Sequence, residues 1–180
     1  MKKIVILGCE NSHADMFLGF MKGNEKYADL QVAGVYSDDK TAAEKLAEKY
    51  GVKVMSAYDE AVSRVDGVIV TARHGNNHYK YAAPYIKTGV PMFIDKPITV
   101  NEGEALKLAR ECKGAGVRLT GGSTCVHDER VQTLKNEHDD NKDGKTISGF
   151  IRCPINLKNN YGDFFFYSEH LVGIMSTIFG

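Results

Sequence analysis

Ile4-Val5-Ile6-Leu7-Gly8-Cys9-Glu10-Asn11-Ser12-His13 decides the fold, because a short apolar run, a glycine and a polar stretch lead straight into residues at helical spacing. Ile4 to Leu7 reads as a strand covered on both faces, since a half-exposed strand would alternate apolar and polar residues. The next residues, Ala14, Phe17, Leu18 and Met21, follow the i, i+3, i+4, i+7 spacing of one helix face. The same strand-then-helix unit repeats along the chain. Val32 to Tyr36, Val68 to Val70 and Met92 to Ile94 are further strands. Ala43/Leu46/Ala47/Tyr50, Tyr79/Ala82/Ala83/Ile86 and Ala105/Leu108/Ala109/Cys112 are further helix faces. Strands alternating with helices predict a parallel sheet with crossover helices on both faces, an α/β doubly wound fold. A weaker strand is expected at Val117 to Thr120. Asn101 followed by Glu104 is a capping-box-like start, and Gly51, Gly89 and Gly114 stand where helices should stop.

The character changes after Gly122. A helix is expected around Asp128 to Glu137, then a solvated loop from His138 to Gly144, a strand at Thr146 to Cys153, and a last helix from about Tyr167 to Phe179. That helix carries the stripe Leu171/Ile174/Met175/Ile178. Burying each such side chain is worth roughly 1.5–3 kcal/mol, so the stripe should fold back on the core or, with the adjacent strand, form a homo-oligomer contact. The boundary divides the chain into a nucleotide-type domain, 1–122, and part of a second domain, 123–180.

Composition narrows the partners. Lys and Arg number 23 and so do Asp and Glu, so nothing draws the chain to nucleic acid or an anionic membrane. A small molecule is the expected ligand. The apolar run after Met1-Lys2-Lys3 is too short for a signal peptide, and the four cysteines are scattered without a C-x-x-C pair, which fits reduced thiols and a cytoplasmic location.

A strand, a glycine turn and a helix N-terminus aim unpaired N–H groups and the helix dipole at one point, which is how a Rossmann-type fold holds a pyrophosphate. In the G-x-G-x-x-G pattern begun by Gly8, Glu10 and His13 occupy the second and third glycine positions. A carboxylate about 4 Å from a phosphate oxygen costs roughly 4 kcal/mol at an effective dielectric of 20, so Glu10→Gly is expected to tighten dinucleotide binding. The plainer reading is a turn at Gly8 with Asn11 or Ser12 capping the helix. At the end of the second strand, Ser37 stands where an NAD-preferring protein carries an acid; Lys40 favours a 2′-phosphate, Asp38 and Asp39 oppose it, and NAD or NADP stays open. The alternative there is an Asp-rich turn with Ser37 or Thr41 capping the next helix. Asp95-Lys96-Pro97 ends an inner strand, where open α/β sheets bind ligands. Lys96 in a dry cleft is a proton shuttle or donor; alone, the pair would be an ordinary surface ion pair. His13, His74 and His78 are not spaced as a metal site.

From Gly8 to about Leu119 the order of elements and these motifs resemble the Gfo/Idh/MocA family of NAD(P)-dependent oxidoreductases. Asp95-Lys96-Pro97 is similar to that family's Glu-Lys-Pro signature. Val70 to His78 is similar to its strand-loop-helix segment ending in Asn-x-x-His, without the usual Pro. Gly121-Gly122-Ser123 resembles the loop closing the nucleotide half, and His170 resembles the active-site histidine on the helix that opens the second domain. The resemblance implies NAD or NADP as cofactor, held by Gly8, Glu10, Asn11, Ser12, His13, Ser37, Ala72, Arg73, His78, Asp95 and Lys96. It implies Lys96 and His170 as catalytic residues beside the nicotinamide and substrate.

The chain departs from the pattern in the glycine loop, at Phe166, where the family often has an Asp four residues before the histidine, and in Ser123 to His127, which lacks a common Arg. Family members continue into a second domain built on a large sheet, whereas this chain stops at Gly180, so the resemblance implies truncation or completion by another chain. Two functions compete: hydride transfer between NAD(P) and a hydroxyl-bearing carbon of a sugar, polyol or related metabolite, and a non-catalytic nucleotide or metabolite binder of the same fold.

Overall fold

A computed structural model describes residues 1–180. Five strands, β1 (Lys2–Leu7), β2 (Leu30–Tyr36), β3 (Gly67–Val70), β4 (Met92–Ile94) and β5 (Leu119–Gly121), form one sheet in the order β2-β1-β3-β4-β5. All four pairings are parallel, so the doubly wound expectation holds.

Six helices form where helices are expected, five of them on the predicted stripes: α1 (Ser12–Gly23), α2 (Lys40–Tyr50), α3 (Asn76–Ile86), α4 (Glu102–Gly114) and α6 (Phe165–Phe179), with α5 (Glu129–Asp139) in the stretch around Asp128 to Glu137. The strand period of two splits β1 between the faces. Val5 and Leu7 pack with Tyr81, Tyr85 and Leu108 of α3 and α4. Ile6 packs with Ala14, Leu18, Ala43 and Leu46 of α1 and α2.

An isolated bridge joins Val35 to Val54 in parallel, with Val35 N–H donating to Lys53 O and Met55 N–H to Val35 O at 2.8 Å each. This remnant strand lies outside β2, so the chain runs outward from β1 through β2 to Val54 and then crosses back to β3. That is the winding order of a Rossmann sheet, and its reversal point lies between β1 and β3. Sequence periodicity missed the remnant because one bridge has no period.

Local capping follows the side chains available. Asn11 Oδ1 accepts from His13 N–H at 2.8 Å, and Asn101 Oδ1 accepts from Glu104 N–H at 3.0 Å. Asp39, rather than Ser37 or Thr41, caps α2 by accepting from Ala42 N–H at 3.1 Å. Gly51 closes α2 with φ 68°, whereas after α4 the left-handed turn falls at Gly116 and not Gly114.

The expected strand at Thr146 to Cys153 is absent; residues 145–156 carry no regular structure. A strand exists through its ladder, and no sheet lies opposite this segment: Ile147 is 95% and Phe150 92% exposed. Homo-oligomer contact through a C-terminal strand therefore loses its strand. The stripe of α6 is half-buried at Leu171, Ile174 and Met175 and buried at Ile178, packed on α5 and the short 3-10 turn Thr124–His127 rather than on the sheet. No helix is long and apolar enough to cross a membrane.

Candidate functional site

The switch point is held shut by a glycine. Gly8 has φ 96°, and a Cβ there would overlap the backbone N and Cα of Ala72 and lie 2.8 Å from its Cβ. Only a residue without a side chain lets the β1–α1 loop rest on the β3–α3 loop. Thr71 Oγ1–H donates to Gly8 O at 2.6 Å, and Asn11 Nδ2–H donates to Thr71 O. His78 lies fully buried beneath, its Nε2 2.7 Å from Ala72 O. Because a carbonyl only accepts, Nε2 carries the proton, and burial lowers the pKa of this imidazole and keeps it neutral.

Around this junction a polar cleft of about 340 Å³ opens at the C-terminal ends of β1, β3 and β4. Asn11, Ser12, His13, Arg73, Asp95 and Lys96 line it, with Phe166 and Tyr167 of α6 as the far wall. His13 Nδ1 is hydrogen-bonded to Asp95 Oδ2, which joins the start of α1 to the end of β4. The Arg73 guanidinium stacks 3.9 Å from the ring centre of Tyr161.

Lys96 Nζ lies 4.2 Å from the Phe166 ring centre and 5.5 Å from that of Tyr167. The ring faces hold the ammonium without neutralising it. Burial lowers its pKa, nearby Arg73 adds to that, and Asp95 and Glu169 oppose it.

His170 sits on α6 with Nδ1 2.6 Å from Ser123 Oγ. That oxygen also accepts from Cys125 N–H at 3.1 Å, so Ser123 ties the His170 ring to the start of the Thr124–His127 turn. Burial, then the charge of Lys96, lowers the pKa of His170. Its ring borders a more apolar cavity of about 610 Å³, shared with Cys125, Ile155 and Leu171; Tyr167 lines this cavity as well as the polar cleft.

The expected residues thus fall into three groups. Asn11, Ser12, His13, Arg73, Asp95 and Lys96 meet in the cleft, with Gly8, Ala72 and His78 as its backing. Glu10 and Ser37 meet at the end of β2, and His170 faces the neighbouring cavity. The Glu10 carboxylate does not lie over the glycine loop: Oε2 accepts from Ser37 Oγ–H at 2.6 Å and Oε1 from Arg73 N–H at 2.9 Å. The repulsion argument behind Glu10→Gly assumed a side chain over the phosphate position, and this orientation removes that assumption.

Sequence reading missed Ser123 as the partner of His170 and the aromatic wall, although the run Phe164-Phe165-Phe166-Tyr167 signalled it. It also missed Glu169, whose Oε1 accepts from Ser123 N–H at 2.9 Å and whose carboxyl pKa burial raises.

The residues fit a dinucleotide. The backbone N–H groups of Glu10, Asn11 and Ser12 donate to no protein acceptor, they cluster at the start of α1, and the carboxylate that would oppose a phosphate is turned aside. The model of the Gfo/Idh/MocA oxidoreductases, described as an oxidoreductase family with an NAD-binding Rossmann fold, matches residues 2–123. The chain belongs to this family.

Solved structures share the fold. A Thermotoga maritima oxidoreductase aligns with TM-score 0.77 at 17% identity over 99% of this chain and 60% of its own. The WlbA dehydrogenase from Chromobacterium violaceum, in complex with NADH and UDP-GlcNAcA, aligns with TM-score 0.78 at 17% identity over 99% of this chain and 55% of its own. UDP-N-acetylglucosamine 3-dehydrogenase GnnA from Acidithiobacillus ferrooxidans gives TM-score 0.61 at 23% identity, covering 75% and 42%. This Gfo/Idh/MocA chain therefore spans less than two thirds of the length of these relatives.

Proposed function

We propose that the chain is the nucleotide-binding part of an NAD(P)-dependent oxidoreductase acting on a hydroxyl-bearing carbon of a sugar, polyol or sugar nucleotide. Residues 1–122 hold the dinucleotide and 123–180 begin the substrate side. The observation that carries this reading is Lys96: a half-buried amine with a lowered pKa, in a polar cleft at the switch point, beside the start of α1. The sugar-nucleotide class draws support from the names of WlbA and GnnA.

When bound, the nicotinamide supplies or takes the hydride. The N–H groups of Glu10, Asn11 and Ser12 would bind the pyrophosphate. Asp95, fixed by His13, orients the strand end that carries Lys96. In the oxidation direction neutral Lys96 accepts the proton of the substrate hydroxyl at Nζ, and in reduction its ammonium returns it. His170, held by Ser123, faces the neighbouring cavity on the substrate side. Phe166 and Tyr167 exclude water from Lys96, and this burial is what lowers its pKa.

A second reading, dinucleotide binding without turnover, is favoured by the engagement of Lys96 with two rings and by Tyr167 standing between the Lys96 and His170 cavities. Calorimetric titration with NAD(H) and NADP(H), followed by nicotinamide absorbance assays on sugars, polyols and UDP-sugars, tests both. Binding with turnover supports the first, binding alone supports the second, and no binding refutes both.

A further inference from the structure

The end of β2 is where a Rossmann sheet reads the adenosine ribose, and an acid there accepts from its hydroxyls. This chain has Ser37 at that position, yet the corner does not lack an acid. Glu10 reaches across from the β1–α1 loop, its carboxylate 2.6 Å from Ser37 Oγ and 2.9 Å from Arg73 N. Two protein donors from two different loops fix it. A carboxylate offers about four acceptor sites, so two remain, and Glu10 is only half-buried.

Ser37 is itself committed. Its side chain is shut away, with the residue 3% exposed; its hydroxyl hydrogen goes to Glu10, and its oxygen accepts from Asp39 N–H at 3.2 Å. It has no donor left for a phosphate. The surrounding charge points the same way. Asp39 caps the N-terminus of α2, the usual resting place for an anion. Asp38 ties up Lys80 at 2.9 Å and accepts from Tyr36 Oη–H at 2.8 Å. Against three carboxylates stands Lys40, exposed at the first turn of α2.

We propose that Glu10 is the ribose-recognising acid of this chain, delivered from the glycine loop instead of from β2, and that it sets a preference for NAD over NADP. Ser37 is a positioning residue that holds Glu10 in place. The inference rests on the loop being a dinucleotide site.

The test is calorimetry of the 180-residue chain with NAD⁺, NADP⁺ and ADP-ribose, for wild type, Glu10→Gln and Ser37→Ala, with thermal unfolding as the folding control. Wild type should bind NAD⁺ about 10-fold or more tightly than NADP⁺. Because charge-assisted hydrogen bonds to the ribose hydroxyls are lost while the charge facing a 2′-phosphate is removed, Glu10→Gln should weaken NAD⁺ and ADP-ribose by about 10-fold and leave NADP⁺ unchanged or tighter. Ser37→Ala should narrow the NAD⁺/NADP⁺ ratio in the same direction, which a merely structural role would not do. Equal affinity of wild type for the two dinucleotides, tighter NADP⁺ binding, or equal weakening of both by Glu10→Gln overturns this inference alone. No binding of either dinucleotide to folded wild type overturns the dinucleotide reading with it.

Discussion

Replacing Gly8 with Ala tests whether the switch point depends on backbone meeting backbone. Two costs combine at this position. A non-glycine residue held at φ 96° costs on the order of 1–3 kcal/mol. The added methyl must also displace the Ala72 backbone, which belongs to the loop after β3 and is pinned by His78, and overpacking a rigid site costs about 1–3 kcal/mol more. Together these give roughly 4 kcal/mol, or roughly 10 °C in Tm for a domain of this size. Gly51→Ala separates the terms, since Gly51 has φ 68° and no heavy atom within 4 Å of its added Cβ. It should lose only the conformational part, about 1–2 kcal/mol, or a few degrees. Scanning calorimetry of both variants and wild type measures the difference. Equal Tm losses would show that the loops do not press on each other at Gly8, and the account of the switch point would fall.

Lys96→Ala should lower kcat by about 100-fold or more on any substrate the chain turns over, with Tm unchanged; near-normal kcat would return Lys96 to the surface. Because Lys96 must be neutral to take a proton, the oxidation rate should rise with pH through its lowered pKa, and Lys96→Arg, always charged, should lack that limb. Stability should fall as pH drops below about 6.5, because the unfolded chain protonates His78 at its ordinary value while the folded pKa lies lower. His78→Gln should flatten that part of a chemical-denaturation pH series, and an unchanged slope would assign the acid sensitivity elsewhere. Phe150→Ser, at a 92% exposed position, should change stability by less than about 0.5 kcal/mol; a larger loss would mean that the Phe150 ring packs.

The sheet was legible because strands buried on both faces must be continuously apolar and crossover helices must show a stripe. Ile4 to Leu7 and Ala43/Leu46 leave few other folds. Lys96 was legible for a similar reason: an acid-Lys-Pro at a strand end has a fixed place once the sheet is drawn. What the sequence hid were relations set by rotamers across loops. Nothing local to Glu10 says that it turns toward Ser37, 27 residues away, and nothing local to His170 names Ser123. The misread strand at Thr146 to Cys153 has the opposite cause: β-propensity describes how side chains fit a pleated surface, and here no surface is offered.

The remnant strand at Val54 also bears on solubility. A sheet edge with a long row of free N–H and C=O groups is a template on which another molecule can add a strand and begin aggregation. Here β2 is shielded on its outer side by a single bridge, and Gly34 makes room for it, since a Cβ there would lie 2.8 Å from Met55 Cγ. The opposite edge, β5, is only three residues long. The outer edge of β2 is thus occupied at Val35, near its C-terminal end, and the opposite border leaves only a three-residue ladder.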